Sequence, residues 1–170
     1  MYQTKITKQV KRKKKAGTGL LKGMMIFFGV LFVLMGIALS RGFMLSGFLL
    51  VLLYFIFDTF SKKEYEYVLE GTTLSISVIW GGHYRREHHA LDLRNMEVTA
   101  PNWHESVAKY RAKGGTEKVH KYDYTSYDDN VPYYTMIIVE GRRKIKLLLD
   151  LDEEMLDAIR RICPGKVIVV

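Results

Sequence analysis

Cysteine is almost absent from this chain of 170 residues, since Cys163 is the only one. A lone cysteine forms no disulfide within its own chain, and this usage fits a reducing compartment. The sequence also lacks a glycine-rich phosphate loop, a dinucleotide-binding fingerprint and a Gly-x-Ser-x-Gly nucleophile turn. We therefore expect no catalytic residues, no cofactor and no enzymatic activity.

Histidine occurs five times, but without the spacing of a metal site. His88 and His89 are neighbours in a predicted strand, so their side chains should point to opposite faces of a sheet. His83, His104 and His120 follow no ligand spacing, and the sequence has no His-x-x-x-His pattern or cysteine pair. We expect no metal ion.

The net positive charge of the chain is confined to its N-terminal end. The first 22 residues contain eight Lys or Arg and no acid, whereas residues 59–170 contain seventeen basic and seventeen acidic residues. A nucleic-acid-binding protein normally carries positive charge on its folded domain. Here the charge precedes an apolar segment, where it orients membrane insertion and attracts anionic lipid. We expect no nucleic-acid partner.

The segment from Leu20 to Phe57 is almost continuously apolar, and its one sharp break is Ser40-Arg41-Gly42. A single helix through it would place Arg41 near the middle of a membrane, at a cost of about 3 kcal/mol. Two helices with Arg41 in the turn between them avoid that cost. We therefore predict a transmembrane α-helical hairpin over residues 20–60, with spans at about 20–39 and 42–60.

Small residues near the turn predict where the two helices approach each other. Gly36 with Ser40, and Gly42 with Ser46, form two small-xxx-small pairs. Neither apolar run contains an ionisable residue at mid-depth, which disfavours a transporter.

The distribution of lysine and arginine predicts the orientation of the hairpin. Residues 1–19 form a basic tail, and Lys62 and Lys63 follow the second span, whereas the turn holds only Arg41. The positive-inside rule then places both termini in the cytoplasm of a multi-pass protein of the cell membrane. A cleaved signal peptide is the alternative, which the second apolar run disfavours.

After Lys63 the apolar period changes from helical to two, which predicts β-strands. Seven segments have this character, near residues 64–69, 73–80, 84–90, 96–100, 117–125, 133–140 and 143–150. Asn102 and Glu105 form a capping box for a short helix from Trp103 to about Arg111. Asp152 caps a final amphipathic helix over Glu153–Cys163. We predict a mainly-β (α+β) domain at residues 64–170, with about seven antiparallel strands and a C-terminal helix.

This order of elements resembles pleckstrin-homology-like (PH-like) domains. The residues that carry the resemblance are Tyr65-x-Tyr67-x-Leu69, Leu74-x-Ile76 with Trp80-Gly81, Arg85-Arg86, Leu147–Asp150 and the helix after Asp152. With its hairpin, the chain resembles small two-span membrane proteins of Gram-positive bacteria that carry a bacterial PH-like C-terminal domain. The resemblance implies an architecture and no catalytic motif.

Two functions follow as hypotheses. The first is a non-catalytic, membrane-anchored interaction or scaffolding module, whose protein partner at the cytoplasmic face would bind an open strand edge or exposed tyrosines. The exposed tyrosines would be members of a tyrosine-rich stretch, for which packing within strands is the alternative interpretation: Tyr122, Tyr124, Tyr127, Tyr133 and Tyr134.

The alternative is a sensor or binder of anionic lipid at the inner leaflet, through the basic tail and the last predicted hairpin turn. The candidate lipid contacts are Lys11, Arg12, Lys13, Lys14, Lys15, Arg142, Arg143 and Lys144. Solvated residues that blunt strand edges are a further interpretation of the basic residues in the β domain. The oligomeric state does not follow from the sequence.

Overall fold

The computed structural model describes residues 5–111 and 113–169. Within these residues the chain forms eight strands, three α-helices and two short 3₁₀ helices. The strands and α-helices are, in chain order, β1 (Lys5–Lys11), α1 (Thr18–Ala38), α2 (Gly42–Ser61), β2 (Lys63–Glu70), β3 (Thr73–Trp80), β4 (Tyr84–Asp92), β5 (Met96–Pro101), β6 (His120–Asp123), β7 (Tyr134–Glu140), β8 (Arg143–Leu149) and α3 (Glu153–Ile162). The 3₁₀ helices are Leu93–Asn95 and Glu105–Tyr110.

The chain divides into two compact units. The helical unit contains residues 13–63 together with residues 79–84, and the β unit contains the rest of both sheets and α3. Both units are discontinuous in sequence, because β1 belongs to the β unit and the β3–β4 turn belongs to the helical unit.

In the helical unit, α1 and α2 pack against each other at glycine residues. The buried residues of α1 and α2 are Gly29, Gly36 and Gly47, whereas large apolar side chains such as Phe27 and Leu45 are 63% and 77% exposed. Small residues let two helix backbones approach closely. Both helices are long and apolar enough to span a membrane, and few of their residues are buried by the protein itself.

The first sheet has the strand order β1-β2-β3-β4, and its edge strand β1 corrects one prediction. We predicted residues 1–19 as a tail, but Lys5–Lys11 pairs antiparallel with β2, with Lys5 opposite Glu70 and Lys11 opposite Glu64. Opposite charges across neighbouring strands favour this register. Val10 faces the core and is buried. The period-two pattern of this strand is weak in the sequence, because lysines and other polar residues surround its few apolar residues.

The second sheet has the order β5-β7-β8-β6 and contains a parallel pair. β7 is antiparallel to both β5 and β8, whereas β6 runs parallel to β8. The prediction of purely antiparallel strands is therefore wrong for β6. Residues 124–133 separate β6 from β7, and this connection is too long to impose a hairpin. The seven predicted strands correspond to β2–β8, and β1 is the eighth.

The predicted helix cap is confirmed for α3 and is wrong for the short helix near residues 103–111. Asp152 Oδ1 accepts a hydrogen bond from Met155 N at 3.0 Å, which confirms the predicted start of α3. The predicted capping box is wrong, because Asn102 Oδ1 instead accepts a hydrogen bond from Thr135 Oγ1 at 3.1 Å. His104 Nδ1 accepts from Ser106 N at 3.2 Å and starts the 3₁₀ helix Glu105–Tyr110.

The core of the β unit lies between the two sheets and α3. Its fully enclosed side chains include Tyr67, Leu74, Ile76, Met136, Ile138 and Leu147, together with Met155 and Ile159 of α3. Cys163 is buried beside this core, and its thiol donates to the Leu93 carbonyl at 3.1 Å. Its position is that of a packing residue.

Candidate functional site

Two of the predicted lipid contacts in the N-terminal segment are engaged with other side chains of the β unit. Lys11 Nζ lies 3.8 Å from Glu64 Oε1. The Arg12 guanidinium lies 4.0 Å from the ring centroid of Tyr127 and donates a hydrogen bond to Tyr65 Oη. Stacking of a guanidinium on an aromatic face typically stabilises by about 1 kcal/mol. Arg12 therefore connects β1 to the loop that contains Tyr127.

The next three lysines differ from Lys11 and Arg12. Lys13, Lys14 and Lys15 are exposed in the segment between β1 and α1. In the described part of the chain, none of them lies within ion-pair distance of a carboxylate. These three ammonium groups precede an apolar helix and are accessible to an anionic surface.

The predicted contacts at the β7–β8 turn also divide into two sets. Arg142 and Arg143 are exposed. Lys144 Nζ instead lies 2.7 Å from Glu97 Oε2 and 3.5 Å from Glu117 Oε2. Its charge is thus compensated inside the β unit, so Lys144 is poorly suited to bind lipid.

Glu97 is the centre of this ion-pair network. Its Oε1 accepts from Tyr110 Oη at 2.5 Å and from Lys109 Nζ at 3.1 Å, and its Oε2 lies beside Lys144. Lys144 and then Tyr110 stabilise the carboxylate and lower the pKa of Glu97 from 4.5 to about 2.

This pKa predicts a specific sensitivity to acid. Because the folded protein holds the carboxylate below its ordinary pKa, the stabilisation is complete above about pH 4.5 and is lost as pH falls towards 2. Glu97→Gln should lower the midpoint of urea unfolding at pH 7, and the difference from the parent chain should shrink at pH 3. Glu105→Gln, outside the network, is the control. A constant difference at both pH values would contradict the assignment.

The tyrosines predicted as a partner surface separate into core and surface residues. Tyr124 and Tyr134 are buried and Tyr122 is half-buried, whereas Tyr127 and Tyr133 are 46% and 37% exposed. Tyr122 and Tyr124 are two residues apart, which places extended-chain side chains on the same face. Both pack on one histidine: the ring centroid of His89 lies 4.5 Å from Tyr122 and 5.8 Å from Tyr124.

The two exposed tyrosines line a cleft of about 520 Å³ in the β unit. Trp103 forms another aromatic part of its wall and is 62% exposed. The charged lining residues are predominantly acidic: Asp123, Asp128, Asp129 and Asp150, with Lys121. A cleft with aromatic walls and acidic groups favours basic side chains, through ion pairing and cation–π contact.

Tyr127 has an unusual backbone in this cleft, with φ of 58°. A residue other than glycine rarely adopts this conformation without support from its surroundings. Here its hydroxyl donates to Asp123 Oδ2 at 3.3 Å, and Arg12 covers its ring. Tyr127 and Tyr133 were among the residues predicted from the sequence, but Trp103 and the aspartates were not. These residues are separated along the chain and come together only in the folded unit.

The buried histidine of β4, His89, lies beside a carboxylate of the β unit. His88 is exposed and His89 is buried, as the strand pattern predicted, and His89 Nδ1 lies 2.8 Å from Glu140 Oε1. Among residues 5–111 and 113–169, no group of three or more His, Cys, Asp or Glu side chains is arranged to hold a metal ion.

Comparison with known proteins identifies a family. A family model described as Bacterial PH-like domain (DUF6106) matches residues 7–169, and so includes the helical hairpin as well as both sheets. No curated protein and no solved structure matches the chain.

Proposed function

The chain belongs to the bacterial PH-like domain family, and on this premise we propose that it is a non-catalytic, membrane-anchored interaction module. In this proposal α1 and α2 cross the cell membrane with both termini in the cytoplasm. The β unit then offers its acidic aromatic cleft to a protein partner that contributes basic side chains.

The observation that carries the membrane anchor is the surface of the helical hairpin. The buried residues of its two helices are glycines, whereas many of its leucine, phenylalanine, isoleucine and valine side chains are exposed. A soluble monomer rarely exposes a contiguous apolar surface of this size. Lipid removes this surface from water.

The ends of the hairpin support the same proposal. Asp58 is the single acidic residue of the two helices, and it is compensated by Lys22 and by Lys62, whose Nζ lies 2.6 Å from Asp58 Oδ2. A charged residue is tolerated at the end of a membrane span, where it reaches the polar interface and can pair with an opposite charge.

Cysteine labelling tests the predicted topology. Cys163 is buried, so the parent chain is the background and should label weakly in intact cells. Ser40→Cys should react with a membrane-impermeant maleimide added outside intact cells, whereas Arg142→Cys should react only after permeabilisation. The reverse pattern, or protection of neither cysteine, would contradict the topology.

Site-specific crosslinking in the same cells tests the partner. A photoreactive amino acid at Trp103, in the cleft, should give a defined adduct, whereas one at Arg161, exposed on α3, should not. Asp128→Asn with Asp129→Asn should reduce the yield of the Trp103 adduct severalfold, since it removes two acidic groups of the cleft. Adducts from both positions, or from neither, would contradict the proposed surface.

The second candidate function is binding of anionic lipid, which the three exposed lysines favour. Each basic residue near an anionic surface contributes about 1 kcal/mol. Replacing Lys13, Lys14 and Lys15 together with glutamine should reduce the preference for phosphatidylglycerol over phosphatidylcholine severalfold in reconstituted vesicles, measured with spin-labelled lipids. Arg142→Gln with Arg143→Gln is a separate variant that tests the β7–β8 turn. An unchanged preference in both variants would exclude lipid recognition by these residues.

A further inference from the structure

The turn between β3 and β4 is joined directly to the end of α2. Gly81 N donates a hydrogen bond to the Lys62 carbonyl at 2.9 Å, and Lys62 is the residue that follows α2. Lys62 in turn pairs with Asp58 in the last turn of that helix. The turn is therefore held at the polar end of the hairpin, within the helical unit.

Gly81 is required for this close approach. Its φ is 60°, and a Cβ at this position would lie 2.7 Å from Thr59 Cγ2 and 3.6 Å from Thr59 Cα. Gly82 follows with φ of 78°. Glycine alone adopts such conformations at little cost, and at position 81 it also leaves room for the Thr59 side chain of α2.

Two aromatic residues flank the glycine turn. The ring centroids of Trp80 and Tyr84 are 5.6 Å apart, and Tyr84 is 62% exposed. Tryptophan and tyrosine have apolar rings with a polar group at one end, and they concentrate where the membrane meets water. Basic residues accompany them, because Lys62 and Lys63 directly follow α2.

We propose that the β3–β4 turn is a second membrane contact, in which Trp80 and Tyr84 insert into the lipid headgroup region beside the end of α2. The proposal rests on the proposed membrane-spanning hairpin, because the polar end of α2 then lies at headgroup depth. Its partner is the bilayer itself.

The two tryptophans of the chain provide a matched test. Trp103→Phe leaves Trp80 as the only tryptophan, and Trp80→Phe leaves Trp103, which is 62% exposed in the β unit and serves as the control. Both full-length variants are reconstituted into vesicles with or without phospholipids brominated near the headgroup end of the acyl chain. Trp80 fluorescence should be strongly quenched by the brominated lipid, and Trp103 fluorescence should be nearly unchanged.

Carbonate extraction of the same membranes separates the two proposals. A protein that resists extraction while Trp80 is quenched no more than Trp103 would overturn the turn contact and leave the membrane anchor intact. A protein that carbonate removes would overturn both. Gly81→Ala gives a further comparison, since it should remain in the membrane while Trp80 quenching falls.

Discussion

Replacing Gly47 with alanine should loosen the helical hairpin and lower its resistance to denaturation in detergent. A Cβ on Gly47 would lie 2.7 Å from Val33 Cγ2, 2.9 Å from the Gly29 carbonyl oxygen and 3.0 Å from Val33 N. Two of these atoms belong to the backbone of α1, so the helices must move apart. Overpacking of this kind costs about 1–3 kcal/mol, and leucine at the same position should prevent close packing altogether.

The matched control for Gly47 is on the facing helix. Gly23 lies within α1, and no heavy atom would lie within 4 Å of a Cβ there. Gly23→Ala should leave stability unchanged or raise it, because alanine favours the helix by about 1 kcal/mol. Denaturation by sodium dodecyl sulfate, followed by circular dichroism, measures both variants. Equal effects of the two substitutions would show that glycine packing does not determine the stability of the hairpin.

Removing the hydroxyl of Tyr67 should destabilise the β unit although it removes only one atom. Tyr67 is fully buried, and its Oη donates to the Tyr124 carbonyl at 2.7 Å. Burial also raises the pKa of this hydroxyl above its ordinary value, so it stays protonated as a donor. Tyr67→Phe leaves that carbonyl without its donor and should cost about 1–3 kcal/mol. Tyr67→Ala adds a cavity and should cost about 3–5 kcal/mol.

Tyr133→Phe is the control for the hydroxyl of Tyr67. The Tyr133 hydroxyl takes part in one hydrogen bond, which it accepts from Asn102 Nδ2, but this side chain is exposed and water replaces the lost partner. Its effect should stay within about 0.5 kcal/mol. Urea unfolding of the full-length variants in detergent, followed by near-ultraviolet circular dichroism, measures the difference. A Tyr67→Phe variant as stable as Tyr133→Phe would contradict the role of the buried hydrogen bond.

Local patterns account for much of the architecture. Apolar length and the break at Arg41 predicted two helices, and the observed helices end at Ala38 and begin again at Gly42. Alternation predicted β2–β8, and a single aspartate predicted the start of α3. Each of these features depends on residues that are close in sequence, where period and capping chemistry are directly visible.

Predictions from the sequence were incomplete or wrong for features that depend on residues far apart in the chain. β1 is specified by the acidic residues of β2, which follow about 60 positions later, and its own lysines indicate only a basic tail. The small-residue pairs near the turn were only partly correct, because Gly36 is buried against Met44 whereas Gly42 is exposed. Which side of a helix faces its partner depends on the relative rotation of both helices.

The sequence by itself therefore determined the presence of an apolar hairpin, its basic flank and a mainly-β domain, because hydrophobic period and charge position act locally. Tertiary structure alone decided which charges remain accessible: Lys144 is engaged by Glu97, Arg12 is stacked on Tyr127, and the lysines between β1 and α1 stay exposed. It also decided that Trp103 shares a cleft with Tyr127 and that Gly81 lies against α2. These outcomes depend on strand order and register, which bring together side chains that no local pattern relates.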